Sequence, residues 1–87
     1  MTEHTKDKLP QWVCHKTVRA AKIQEVSYTT NGGAFLIFEE DGVPMHRVTP
    51  DYVAKHNPLP GGYYVLYEDG YESWSPAGAF EGGYIRL

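Results

Sequence analysis

The first candidate site for metal binding or nucleophilic chemistry combines the single cysteine with three of the four histidines: Cys14, His15, His46 and His56. Thiolate and imidazole groups are zinc ligands, and a cysteine beside a histidine can form a thiol nucleophile with its base. The chain has neither Cys-x-x-Cys nor His-x-x-x-His spacing, and nothing marks an oxyanion hole. We therefore predict no catalytic residue, no metal site, no cofactor and no enzymatic activity. We interpret Cys14 as a small buried apolar residue.

A second candidate site combines an aromatic ring with basic side chains. Lys16, Arg19 and Lys22 recur at every third position shortly after Trp12. Because a ring can stack on a base while a cation holds a phosphate, Trp12, Arg19 and Lys22 are the candidate residues for binding a nucleotide or a phosphate. The net charge of −3, from 8 basic and 11 acidic residues, argues against duplex nucleic acid as a partner.

The third candidate site lies in the aromatic C-terminal part of the chain. Asp69-Gly70 is a two-residue hairpin signal between predicted strands at 63–68 and 71–74. In the strand predicted at 63–68, aromatic residues point to both faces, so some of them are exposed unless both faces are covered. They form either core and cross-strand pairs or a recognition patch for a protein partner. The candidate partner-binding residues are Tyr67, Glu68, Asp69, Tyr71, Glu72 and Trp74.

Short strands and tight turns have to position these residues. Turns at Asn31-Gly32-Gly33 and Glu40-Asp41-Gly42 separate the first three strands. A phase slip at Ala20-Ala21 indicates a bulge in the first strand, and a helix over residues 16–26 is the alternative. The predicted strands are residues 17–28, 34–38, 44–48, 63–68, 71–74 and 84–87.

Two short helical segments are predicted from their end signals. Thr49-Pro50-Asp51 has the form of an N-cap, a first-turn proline and a first-turn acid, and it opens a helix through His56 that Asn57-Pro58 closes. Ser75-Pro76 repeats the cap and proline ahead of a single turn over residues 77–81. We expect Gly82-Gly83 to stop that turn.

Together these elements predict a mainly β fold at the border with α+β: a small antiparallel sheet curled into an open barrel or roll, with five to six short strands and two short helical turns. If residues 16–26 are helical, an α+β sandwich replaces it. The length fits one domain, with residues 1–11 as a flexible N-terminal tail and 12–87 as the folded part. A single cysteine and the lack of a signal-peptide pattern favour the cytoplasm, with no membrane partner.

The C-terminal motif resembles a recurrent family of small proteins of tailed bacteriophages. The resemblance rests on Asp69-Gly70-Tyr71, then Ser73-Trp74-Ser75-Pro76, then Ala79-Phe80-Glu81 and the closing Gly83-Tyr84. The segment 52–65 and, more loosely, residues 13–23 are also similar. The family is mostly uncharacterised, so the resemblance implies a phage origin and carries over neither an activity nor catalytic residues.

Such an origin turns the candidate sites into functional hypotheses. The first is an accessory binding protein in the cytoplasm of the bacterial host that inhibits or sequesters a host protein, such as an antiviral defence factor, through the hairpin at Tyr67–Trp74. The alternatives are a nucleotide-binding sponge that uses Trp12, Arg19 and Lys22, and a minor structural component of the virion. A homodimer formed through sheet edges is left open.

Overall fold

The computed structural model of the protein describes residues 8–14 and 16–87. In this part of the chain the strands are β1 (Gln11–Val13), β2 (Thr17–Tyr28), β3 (Ala34–Phe38), β4 (His46–Val48), β5 (Tyr63–Leu66), β6 (Glu72–Ser75) and β7 (Ile85–Arg86). Helix α1 (Pro50–His56) lies between β4 and β5, and helix α2 (Ala77–Gly83) lies between β6 and β7.

Strand β2 is the centre of an antiparallel sheet. It pairs with β1 along residues 17–19, with β5 along residues 19–22 and with β3 along residues 23–28. The sheet continues from β3 to β4, from β1 to β7 and from β5 to β6, and it does not close on itself. The predicted mainly β fold with an open antiparallel sheet is therefore confirmed. Strand β1 is the addition to the predicted set.

The helix alternative for residues 16–26 is wrong, because β2 is a strand over 12 residues. Ala20 and Ala21 are both buried, since β2 is covered on both faces at this point: Ala20 belongs to one hydrophobic core and Ala21 to the other. The break in the alternation of apolar residues at Ala20-Ala21 is thus explained by the burial of both faces of β2. The irregularity in the pairing with β3 lies further along, between Ile23 and Glu25.

Two hydrophobic cores cover the two faces of β5. Tyr64 lies in the first core, whereas Tyr63 and Val65 lie in the second. This explains how aromatic residues on both faces of one strand can be buried. The first core contains Leu9, Ala21, Ile23, Ala34, Leu36, Phe38, Val48, Tyr52 and Tyr64, and the second contains Val18, Ala20, Tyr63, Val65 and Phe80.

Helix α1 has the predicted bounds and the predicted end signals. The hydroxyl oxygen of Thr49 accepts a hydrogen bond from the Tyr52 N–H at 3.1 Å, which caps the first turn. At the other end Asn57 has a φ of 44°, the left-handed conformation in which asparagine is tolerated. The helix places Tyr52 in the first core and leaves Lys55 on the surface.

Helix α2 differs from its prediction at both ends. The Ser75 hydroxyl donates to the Pro76 carbonyl oxygen at 3.3 Å and makes no cap. The helix also runs through Gly82-Gly83, because the Tyr84 N–H still donates to the Phe80 carbonyl oxygen at 3.0 Å. Burial of Phe80 in the second core outweighs the low helix propensity of two glycines.

The folded part also begins earlier than the predicted boundary between residues 11 and 12. Leu9 is 2% exposed and lies in the first core. The Pro10 carbonyl oxygen accepts from the Ala20 N–H at 2.9 Å, and Gln11 belongs to β1. The last residues of the predicted tail are thus tied to β2, and residues 1–7 lie outside the described part of the chain.

Candidate partner-binding surface

The β5–β6 hairpin ends in a tight loop closed by two backbone hydrogen bonds. Leu66 pairs with Glu72, the Tyr67 N–H donates to the Tyr71 carbonyl oxygen at 2.9 Å, and the Gly70 N–H donates to the Tyr67 carbonyl oxygen at 2.9 Å. Gly70 has a φ of 91°, which favours glycine. The predicted hairpin is present, and its loop is the three residues 68–70 because Gly70 takes the left-handed position after a β-turn.

The tip of this hairpin carries two neighbouring tyrosine rings. The ring centroids of Tyr67 and Tyr71 are 6.0 Å apart. The Lys16 ammonium lies over the Tyr67 ring at 4.8 Å, and the Lys55 ammonium lies over the Tyr71 ring at 5.2 Å. We call Lys16, Lys55, Tyr67, Glu68, Asp69 and Tyr71 the hairpin-tip surface. It presents aromatic rings, carboxylates and ammonium groups together to solvent.

Both rings of the hairpin-tip surface are braced by other elements. Tyr67 packs against the second core. Tyr71 reaches helix α1, where its hydroxyl is 3.5 Å from His56 Nε2 and its ring meets the imidazole edge-on. In addition, Asp69 Oδ1 accepts from the Tyr71 N–H at 2.9 Å. The surface is therefore ordered before any partner arrives, and ordering costs on binding are low.

Tyr71 lines two grooves of the surface. The first groove is lined by Lys16, Thr17, Tyr67, Glu68, Asp69 and Tyr71. The second is lined by Asp51, Tyr52, Lys55, His56, Gly70, Tyr71 and Glu72. Tyr71 is 44% exposed, so it is the large ring of the hairpin that a partner meets first.

Glu72 was predicted to face a partner, but it takes part in an internal polar network. Glu72 Oε2 is 2.8 Å from His46 Nε2 and also accepts a hydrogen bond from the Tyr64 hydroxyl. The Tyr64 hydroxyl is in turn 3.1 Å from His46 Nε2. The hydrogen bond with His46 is the main reason why the pKa of Glu72 is lowered, while burial raises the pKa of Tyr64. Residues far apart in the sequence make this network, and no sequence signal indicated it.

Trp74 was also predicted to face a partner, and its ring instead packs against the first core. A Cβ atom at Gly62 would overlap that ring, so the close approach of the Gly62 backbone requires a glycine. The indole N–H is buried without a hydrogen-bond partner in the described part of the chain. Glu72 and Trp74 thus make internal contacts, and the other four predicted partner-binding residues, Tyr67, Glu68, Asp69 and Tyr71, belong to the hairpin-tip surface.

The predicted nucleotide site is divided between separate contacts. The Trp12 ring packs edge-on against Phe80 at 4.9 Å, and its Nε1 donates to the Ala20 carbonyl oxygen at 3.2 Å. Arg19 Nη1 donates to the Leu9 carbonyl oxygen at 2.6 Å, and the Lys22 ammonium is 3.7 Å from a Glu81 carboxylate oxygen. These side chains hold the fold together, and Arg19 lines a different groove from the other two.

Cys14 is exposed, so its interpretation as a buried apolar residue is wrong. It follows the end of β1, where the chain turns towards β2, and a turn leaves a small side chain in solvent. His46 contacts Glu72 and Tyr64, whereas the His56 ring packs on Tyr52 at 4.7 Å. His15 lies outside the described residues.

Two further properties concern the residues that the structure describes. Within residues 8–14 and 16–87, no group of three or more His, Cys, Asp and Glu side chains is arranged to hold a metal ion. None of the helices described is long and apolar enough to cross a membrane.

The fold has a solved counterpart. The chain is similar to the solution NMR structure of the monomeric form of the phage L decoration protein, with a TM-score of 0.68 and 24% sequence identity. The match covers 88% of this chain and 58% of that protein, so the chain spans little more than half of its length. No protein-family model and no curated protein sequence matches the chain. The similarity shows a shared fold, and the resemblance to a family of small phage proteins stays a prediction.

Proposed function

We propose that the protein is a decoration module of a bacteriophage virion, a small accessory protein that attaches to the outside of the assembled shell by protein–protein contacts. The observation that carries this proposal is the fold shared with the phage L decoration protein over 88% of the chain. A decoration protein is, by the meaning of the term, a component added to the virion. We extend that role to this chain because the two proteins share the fold.

The surface of the molecule supports a role in protein binding. The hairpin-tip surface offers an exposed tyrosine beside a second ring, and tyrosine is enriched where proteins meet because it supplies contact area at a low entropic cost. The hairpin loop at residues 68–70, which carries this surface, is held by backbone hydrogen bonds between Tyr67 and Tyr71 and between Gly70 and Tyr67. A preordered surface of this kind suits docking onto a repeating shell without refolding.

The fold shared with a phage decoration protein favours a virion component, one of the alternatives drawn from the sequence, over an inhibitor of a host protein. The inhibitor stays a prediction that no observation tests. The nucleotide-binding sponge also stays a prediction, and its residues Trp12, Arg19 and Lys22 make contacts within the fold.

Purified virions provide the test. Particles of the encoding phage and of a deletion strain that lacks the gene are purified on a density gradient and analysed by mass spectrometry. We expect many copies of the chain per wild-type particle, and we expect purified protein to rebind to deletion-strain shells and sediment with them. Host ribosomes serve as a control for non-specific sedimentation. Absence from wild-type particles together with failure to rebind would refute the proposal.

A further inference from the structure

Building on the proposed function, we propose that the first groove of the hairpin-tip surface is the shell-binding site and that it takes a basic side chain, arginine or lysine, from the shell subunit. The cation would lie between the carboxylates of Glu68 and Asp69 and against the rings of Tyr67 and Tyr71. This assigns both a place on the molecule and a chemistry to the contact.

The charged side chains that line the groove favour a cationic ligand. Three acidic side chains elsewhere on the molecule contact basic groups: Glu40 with Arg86 at 2.9 Å, Glu72 with His46 at 2.8 Å and Glu81 with Lys22 at 3.7 Å. Glu68 and Asp69 are exposed and form no ion pair within the described residues. Other exposed carboxylates, such as those of Glu25 and Asp41, form no ion pair within the described residues either, so Glu68 and Asp69 are distinguished by the two tyrosine rings that line the same groove. Among the described residues that line the same groove, Lys16 is the cationic one, so the carboxylates of Glu68 and Asp69 outnumber the ammonium groups there. The groove is therefore complementary to an added cation.

The rings are the second step. The Lys16 and Lys55 ammonium groups already lie over Tyr67 and Tyr71, at 4.8 and 5.2 Å, which shows that these ring faces accept cations. Both lysines are exposed, so they can move aside at small cost. An arginine from a partner is more weakly hydrated and stacks better on an aromatic face than a lysine does.

The rigidity of the groove is the third step. The Asp69 carboxylate is fixed because one oxygen accepts from the Tyr71 N–H at 2.9 Å, which leaves the other oxygen for a partner. Tyr71 is held against His56 on its far side. A cation that enters the groove thus meets groups already in place, and such preorganisation increases affinity by reducing the entropy lost on binding.

Two pairs of matched variants test the charge. Glu68→Gln with Asp69→Asn removes both groove carboxylates, and asparagine can still accept the hydrogen bond from the Tyr71 N–H. The control, Glu25→Gln with Asp41→Asn, removes two exposed carboxylates outside the groove. Binding to deletion-strain shells is measured by co-sedimentation at low and high salt. We expect about tenfold weaker binding and a smaller salt dependence for the groove pair, and wild-type behaviour for the control pair.

Single substitutions test the ring and the competing lysine. Tyr71→Leu, which keeps apolar bulk without a π face, should weaken binding about threefold to tenfold, whereas Tyr71→Phe should bind like the wild type. Lys16→Gln removes the resident cation and should strengthen binding about twofold to fivefold, with Lys8→Gln as the exposed control. Circular dichroism and melting curves confirm that each variant is folded.

The outcomes separate this inference from the proposed function. If the wild type binds shells and the groove pair binds equally well, the groove is not the site and the proposed function stands. If the control pair weakens binding as much as the groove pair, net charge drives binding and the inference fails. If the wild type does not bind shells, the proposed function fails and the inference fails with it.

Discussion

Nε2 of His46 lies 2.8 Å from Oε2 of Glu72, and this contact joins β4 to β6 across 26 positions of the chain. The Tyr64 hydroxyl donates to the same carboxylate oxygen, so one atom links three strands. Tyr64 and Glu72 belong to the two strands of the hairpin that carries the proposed shell-binding site. Protonation of this network should therefore be visible in the stability of the molecule.

Acid should destabilise the protein through Glu72. The hydrogen bond with His46 is the main reason why the folded-state pKa of Glu72 is lowered. A lowered pKa means that the stabilisation is present above the unfolded value of about 4.3 and is lost as the pH falls through the folded value. Glu72→Gln should cost about 1–2 kcal/mol at neutral pH and should flatten this acid limb. Urea unfolding across the acid range measures both, with Glu25→Gln as an exposed control that leaves the acid limb unchanged.

Alkali should destabilise the protein through its buried tyrosines. Burial, and then the hydrogen bond to Glu81, raise the pKa of Tyr63 to about 12. A raised tyrosine pKa gives stabilisation that is complete below the unfolded value of about 10 and is lost as the pH rises through the folded value. Unfolding free energies should therefore decline between pH about 10 and 12, and less steeply in Tyr63→Phe. An equally steep decline in that variant would contradict the assignment.

Gly62 and Gly78 should respond in opposite directions to substitution by alanine. A Cβ atom at Gly62 overlaps the Trp74 ring, so Gly62→Ala should destabilise the protein by more than about 2 kcal/mol. Gly78 has open space around it within α2, so Gly78→Ala should stabilise the protein by up to about 1 kcal/mol. Chemical denaturation of both variants gives the comparison. Equal effects would show that the two backbone environments do not differ as described.

Cys14 should react in the native protein. Because it is exposed, a thiol reagent should modify it without denaturant, with a rate within a few-fold of that in the unfolded chain. Spectroscopic thiol titration measures both rates. Protection by several orders of magnitude would return Cys14 to the buried role that the sequence predicted.

Local chemistry made much of the fold predictable. Thr49-Pro50 marks the start of α1 and Asn57 marks its end, and Asp69-Gly70 marks the turn of the β5–β6 hairpin. In each case the conformation depends on neighbours in the chain. The sequence alone is therefore sufficient to locate these elements.

Features set by distant contacts escaped prediction. Helix α2 continues through its glycines because Phe80 is buried against residues of other elements, and β1 exists because β2 offers it a partner. Within the candidate site, the hairpin alone predicts that Tyr67, Glu68, Asp69 and Tyr71 share one surface. The contacts of Glu72 with His46 and of Trp74 with the first core were not predictable, because they depend on residues distant in the sequence.

Strand β2 has a consequence for how the molecule comes apart. Ala20 on one of its faces and Ala21 on the other contribute to different cores. Both cores would therefore be exposed to solvent if β2 left the sheet. The domain should melt in one cooperative transition, with the central amides of β2 exchanging with deuterium only when the entire chain unfolds. A substitution that destabilises one core should then lower the free energy of unfolding of the entire domain, and no fragment that lacks β2 should fold on its own.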